Sequence, residues 1–280
     1  MTSLPTPSRT TAVTTAPSNA PSDAAPATPP LMSVVDMVWP DQSNHHGTLF
    51  GGAALSILDR VAFIGASKVL RGSVVTASVG QMQFAAPAPA GQLVECRVTV
   101  GRKGSRSATL QLQLLAEDLL TGQQTHCLSG EFVMVRKEPV DANQPNQAKA
   151  RAAEDADARP SIATPADSPV QATVAEIVFP GHANYRGILH GGPAMEWMAK
   201  AGFVAATRQV RRSLVMASSG HMDFKAPAFV GDVVEVTATV QRVGNRSVTV
   251  TTQMWAESPT TGERRHCTSG SLVFVALADA

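Results

Sequence analysis

The chain is short of charge. Of its 280 residues only 16% are Asp, Glu, Lys or Arg, and the formal net charge is +1. That balance argues against a nucleic-acid binder, which carries a basic surplus. Few charges among many small apolar residues predict a surface partly buried between domains or subunits. Cysteine is scarce too. Cys96, Cys127 and Cys267 are an odd, sparse set that gives no disulfide framework and fits a reducing cytoplasm. No apolar run reaches the roughly 18 residues of a membrane helix, so no membrane partner is expected. Residues 1–32, rich in Pro, Ala, Ser and Thr, lack the apolar core of a secretory signal and are expected to form a disordered tail.

What the chain does have is a repeat. "SNHHGTLFGG" (Ser43 to Gly52) returns 140 positions later as "ANYRGILHGG" (Ala183 to Gly192). The same shift aligns "VVTASVGQMQFAAPAPAGQLVE" with "LVMASSGHMDFKAPAFVGDVVE", "RKGSRS" with "RVGNRS", and "AEDLLTGQQTHCLSG" with "AESPTTGERRHCTSG". No gap is needed, so the chain is a duplicated domain. The copies are placed at 33–136 and 173–280. Between them, 137–172 reads as an Ala-, Pro- and charge-rich linker, in which "QAKARAAEDADA" could form a short surface helix. Cys127 and Cys267 are repeat equivalents in strand-like runs and are expected to be buried thiols.

Each copy has one plan: a short strand, a loop, a Gly pair, an apolar helix, then four strand-like runs. In copy 1 the helix is "AALSILDRVAFIGASKVL" and the runs are Val74 to Phe84, Leu93 to Gly101, Ser107 to Ala116 and Thr125 to Val135. Pro193 sits just inside the matching helix start, where a missing N–H is harmless. "TG" turns at Thr121-Gly122 and Thr261-Gly262 separate the last two runs. A helix apolar nearly all round, followed only by strands, predicts an α+β class in which an antiparallel sheet wraps one buried helix.

The set N-x-x-G-x-x-x-G-G, an aspartate seven residues past the second Gly, "VVTASV", F-x-x-P and R-x-G-x-x-S resembles the hotdog-fold acyl-CoA thioesterases, nearest the YciA-like and brain-type acyl-CoA hydrolases. The resemblance covers both copies. It implies two hotdogs paired side by side, active sites between them, acyl-CoA as substrate, no separate cofactor or metal, and a homo-oligomer such as a trimer of double hotdogs.

The copies differ at one telling position: Asp59 in the first is Ala199 in the second. Thioester hydrolysis needs an activated water and stabilisation of the carbonyl oxygen as it gains charge. A glycine-lined helix start offers backbone N–H groups for that oxygen. Asp59 lies eight residues after Gly51, about 12 Å down the helix, so it cannot serve its own helix start. An antiparallel partner helix would bring it to Gly191 and Gly192. The resemblance implies the same split, with Asn and Gly from one hotdog and the acid from the other. One site would then join Asp59, Asn184 and Gly191, with Asn184 orienting water or carbonyl through its amide. The other would join Ala199 with Asn44 and Gly51 and lack a base. Substrate contacts are expected at Asn44, Gly51, Gly52 and Gly192. Arg102, Arg106, Ser107, Arg242, Arg246 and Ser247 are candidates for the coenzyme A phosphates. Plainer roles compete: Asp59 could be a solvated residue paired with Arg60, the asparagines could be turn or cap residues, and the arginines could be solvated hairpin residues. Phe50 stands where His190 does, so the pockets are not lined alike. "FPGHANYRGILHGGPAMEWMAKAG" also resembles the hotdog 3-hydroxyacyl dehydratases through His182 and Glu196, but the partner positions are Gln42 and Ser56. A non-catalytic acyl-CoA-binding protein is the third reading.

Overall fold

The computed structural model describes residues 29–137 and 169–277. The other residues of the expected tail and linker, including "QAKARAAEDADA", lie outside the described residues. Copy 1 runs β1 (Met32–Met37), α1 (Gly51–Leu70), β2 (Val74–Val79), β3 (Met82–Phe84), β4 (Leu93–Lys103), β5 (Ser107–Glu117) and β6 (Gln124–Arg136). Copy 2 repeats it as β7 (Gln171–Ile177), α2 (Gly191–Val210), β8 (Leu214–Ser219), β9 (Met222–Asp223), β10 (Val233–Val243), β11 (Ser247–Glu257) and β12 (Arg264–Ala276).

The helices are apolar nearly all round because they are enclosed. In α1 the residues open to solvent are Arg60, Ile64 and Lys68, one stripe at four-residue spacing. The rest of the helix packs chiefly on β2, β4, β5, β6 and α2. The strands alternate as half-buried strands must. Along β5, Ala108, Leu110, Leu112, Leu114 and Ala116 point inward. The first expected run, Val74 to Phe84, is two strands rather than one. It breaks at Gly80, whose N–H donates to the Glu131 carbonyl. Both strands pair with β6, and the bend lets β2 also reach β9 and β3 also reach β8. Gly122 and Gly262 take φ of +66° and +70° in the expected "TG" turns, a region that favours glycine.

All strand pairings are antiparallel, and they run unbroken through both copies in the order β1-β4-β5-β6-β3-β8-β12-β11-β10-β7. The join is short: Met82 and Gln83 pair with Ser219 and Ser218, while Ser78 and Val79 pair with Asp223 and Met222. Across it, α1 and α2 pack antiparallel. Gly52 lies against Glu196 and Ala199, and Gly192 lies against Ser56 and Asp59. A Cβ on Gly52 would sit 3.1 Å from the Glu196 Cα, and one on Gly192 would sit 3.1 Å from the Ser56 Cα. The second glycine of each pair therefore exists for helix contact, with backbone against backbone.

Candidate active site

The antiparallel crossing delivers Asp59 to the start of α2. Its Oδ2 accepts the Gly192 N–H at 2.8 Å, and its Oδ1 accepts the Thr76 hydroxyl at 2.6 Å. Asp59 is 1% exposed. The competing ion pair with Arg60 does not form, because consecutive helical residues point apart; Arg60 pairs with Asp36 at 2.8 Å. Burial pushes the Asp59 carboxyl above its ordinary value. The Thr76 and Gly192 hydrogen bonds and the nearby His190 ring pull it back. A carboxylate enclosed in this way binds a proton more readily than a solvated one, as a general base should.

Gly191 makes the approach possible. A Cβ there would lie 2.7 Å from Asp59 Oδ1 and 3.1 Å from Thr76 Oγ1. Its N–H is the first of α2 and meets no acceptor among the described residues. Gly191 also lines a cavity of about 240 Å3 between the copies, with Thr76, Asn184 and His190. A free backbone donor at a helix start, beside an enclosed carboxylate, is the pairing that acyl transfer needs. Gly192, expected to touch substrate, instead spends its N–H on holding Asp59.

Asn184 reaches the same cavity and is 8% exposed. Its Oδ1 is taken by the N–H groups of Arg186 (2.9 Å) and Ile188 (3.2 Å). That is the turn role of Asn, so its oxygen cannot accept from a water; its NH2 group alone is left to meet substrate. Asn44 makes the same turn, accepting from the His46 and Thr48 N–H groups.

The second helix start lacks more than its aspartate. Met216 stands where the first site has Thr76, and its side chain would meet a Cβ on Gly51 at 2.5 Å. Gly51 and Asn44 line a separate cavity of about 490 Å3; Gly52 is buried against α2 and does not. The cavity beside Asp59, whose wall is formed by Gly191 and Thr76 rather than by Asp59 itself, also carries Lys137, Arg186 and Lys225, where the other has Leu277, His46 and Ala85. Sequence reasoning missed these three cations and Thr76. The Thr76–Met216 mismatch was visible in the repeat alignment, as Asp59–Ala199 was.

The arginine hairpins stand elsewhere. Arg102, Arg106, Arg242 and Arg246 are exposed, and Ser107 and Ser247 accept the Gly104 and Gly244 N–H groups through their carbonyls. Neither hairpin is on the wall of either inter-copy cavity, but both stand close by: the Arg106 and Arg246 carbonyls accept the Arg136 and Ala276 N–H groups, one residue before the wall residues Lys137 and Leu277. Arg246 and Ser247 wall a third cavity with Arg212, and Arg246 donates to the Ala276 carbonyl. The dehydratase pair does not assemble. Glu196 pairs with Lys200 at 3.3 Å, and His182 lies edge-on to Trp197. The cysteines are buried and unpaired, with the Cys96 and Cys267 thiols pushed up to about 12 by burial.

The family model of the thioesterase superfamily matches residues 46–122 and 186–263, one segment in each copy. The chain belongs to the thioesterase superfamily. Acetyl-coenzyme A thioesterase of Mus musculus is 26% identical over 285 residues, which is 86% of this chain and 50% of that protein. The chain thus spans about half the length of the curated relatives it matches. An acyl-CoA hydrolase structure from Agrobacterium tumefaciens is 37% identical, covering 88% of this chain and 94% of its own, with a TM-score of 0.39. A putative oleoyl thioesterase from Lactobacillus plantarum, 13% identical with a TM-score of 0.57, covers 88% of this chain and 96% of its own and shares the fold. This superfamily member is thus two hotdogs in tandem, each an antiparallel sheet around one long helix. Among the described residues, no helix is long and apolar enough to cross a membrane.

Proposed function

We propose that the chain hydrolyses acyl-CoA thioesters to free acid and coenzyme A at the Asp59 cavity. The observation that carries this reading is the buried Asp59 carboxylate, hydrogen-bonded by Thr76 and Gly192 beside the open Gly191 N–H. The thioester carbonyl oxygen would accept from Gly191 N–H and the Asn184 NH2. Asp59 takes a proton from water as the oxygen attacks the carbonyl carbon. The tetrahedral intermediate then collapses, the C–S bond breaks, and the proton passes to the departing thiolate. Lys137, Arg186 and Lys225, on the wall of this cavity alone, are the nearest cations for the coenzyme phosphates. The exposed hairpin arginines would meet phosphates only beyond the cavity mouth.

No metal or separate cofactor is invoked, since coenzyme A is part of the substrate. The family names of the relatives and the paired-hotdog site support the reaction class. The same reading puts the chain in a reducing cytoplasm, assembled as a trimer of double hotdogs. The test is a panel of acyl-CoAs of graded chain length, with thiol release followed by a chromogenic disulfide. Hydrolysis of one of them establishes the class, and none across the panel overturns it.

A further inference from the structure

The cavity at the second helix start is the larger of the two, at about 490 Å3 against about 240 Å3. Ligand cavities run from about 300 to 1,000 Å3. A site that had merely lost its base would keep the rest of its wall. This one has exchanged polar for apolar residues at four positions away from the Asn44–Thr48 loop. Relative to the Asp59 site, Thr76 has become Met216, His190 has become Phe50, Lys225 has become Ala85, and Lys137 has become Leu277. Among the described residues, no Lys, Arg, Asp or Glu lines it. A coenzyme A phosphate would find no Lys or Arg of the described residues there, and a thioester no carboxylate.

The wall is not uniform. Its polar side chains, Asn44, His45, His46 and Thr48, all come from one loop; among the described residues, the Cys127 thiol and the Met216 thioether are the other heteroatom side chains on the wall. That loop is tied to copy 2. The Ser213 hydroxyl lies 2.8 Å from His45 Nε2 and 3.0 Å from His46 Nε2. One hydroxyl has one proton, so Ser213 can donate to at most one of the two rings, and at least one ring presents its Nε2–H to the hydroxyl oxygen. The polar end is exposed to solvent, whereas Ala54, Leu114 and Leu128 are buried. A large apolar chamber with polar groups at one open end matches a single-chain amphiphile.

We propose that this chamber is a non-hydrolysing binding site for a free fatty acid. The hydrocarbon chain lies among Ala54, Leu114, Leu128, Phe203 and Met216, and the carboxyl group stays at the His45–His46–Ser213 end. This goes beyond the catalytic reading and rests on the second chamber alone. The chemistry is that of the acid which thioester hydrolysis releases, so the chamber would hold a product-like molecule without turning it over.

The test exploits the repeat. Ala226→Trp fills the Asp59 cavity, and Ala86→Trp fills the mirrored wall of the second chamber; both alanines are part-exposed wall residues. The full-length Ala226→Trp protein is titrated with dodecanoate below its micelle concentration, reading displacement of a fluorescent polyene fatty acid. Saturable binding of one equivalent per chain is expected. Ala86→Trp should weaken that binding at least about tenfold and leave thioester hydrolysis unchanged. Coenzyme A alone should not displace the probe. No saturable binding by Ala226→Trp overturns the proposal, whether or not Ala86→Trp folds, and so does displacement by coenzyme A. Hydrolysis by the parent is read separately: its absence would sink the catalytic reading and leave the binding result standing.

Discussion

Replacing Asp59 with Asn separates catalysis from folding in a single variant. The amide fits the vacated geometry. Its oxygen can accept the Gly192 N–H, and its NH2 can donate to Thr76 Oγ1, which is able to accept. What it cannot do is take a proton from water at neutral pH. Loss of a general base lowers turnover by about 10²- to 10⁴-fold, equivalent to about 2.7–5.5 kcal/mol in the barrier. Stability should move the other way. The Asp59 carboxyl is held above its ordinary value of 3.8, chiefly by burial. A group that binds its proton more tightly when folded opposes folding once the pH exceeds its unfolded value. The opposition grows from the unfolded pKa up to the raised folded one and is constant above it. Asp59→Asn should therefore melt higher than the parent at pH 7, and the gap should close as the pH falls toward 3.8. Thiol release and melting curves at several pH values read both effects. Activity within tenfold of the parent would refute the base, and a lower melting temperature at pH 7 would refute the burial argument.

Thr76→Val removes a hydrogen bond that favours the ionised carboxylate, so the acid limb of the kcat/KM profile should move to higher pH; an unmoved limb would separate Thr76 from the titration of Asp59. Asn184→Ala should lower both turnover and stability, because the side chain holds a turn as well as facing the cavity. Asn44→Ala should cost about 1 kcal/mol of stability with little change in turnover, and equal turnover losses in the two variants would contradict the cross-copy site. Ala199→Asp, added to Asp59→Asn, should fail to restore hydrolysis alone, since the new carboxylate faces Met216 instead of a hydroxyl. Adding Met216→Thr supplies the donor, and full recovery from Ala199→Asp alone would show that the second site lacks only its base.

The duplication, the two apolar helices, the strand runs and the "TG" turns were all legible in the sequence, because periodicity and turn chemistry are local properties. The repeat carried the reasoning further. Two copies of one fold must place equivalent residues equivalently, so Asp59 against Ala199 marked unequal sites before any coordinate was known, and helix length alone sent Asp59 to the other copy's glycines. The tertiary structure decided what depends on contacts between residues distant in the chain. Thr76 meets Asp59 across 17 positions, and the Gly192 N–H meets it across 133. The first and second glycines divide their work, Gly191 leaving a donor open and Gly192 clamping the Asp59 carboxylate, because the helix crossing presses only the second against its partner's backbone. The asparagine oxygens go to turns, because two backbone N–H groups lie closer than any substrate. Which cations line which chamber depends on which strand and loop ends converge at each helix start, and no local pattern encodes that convergence.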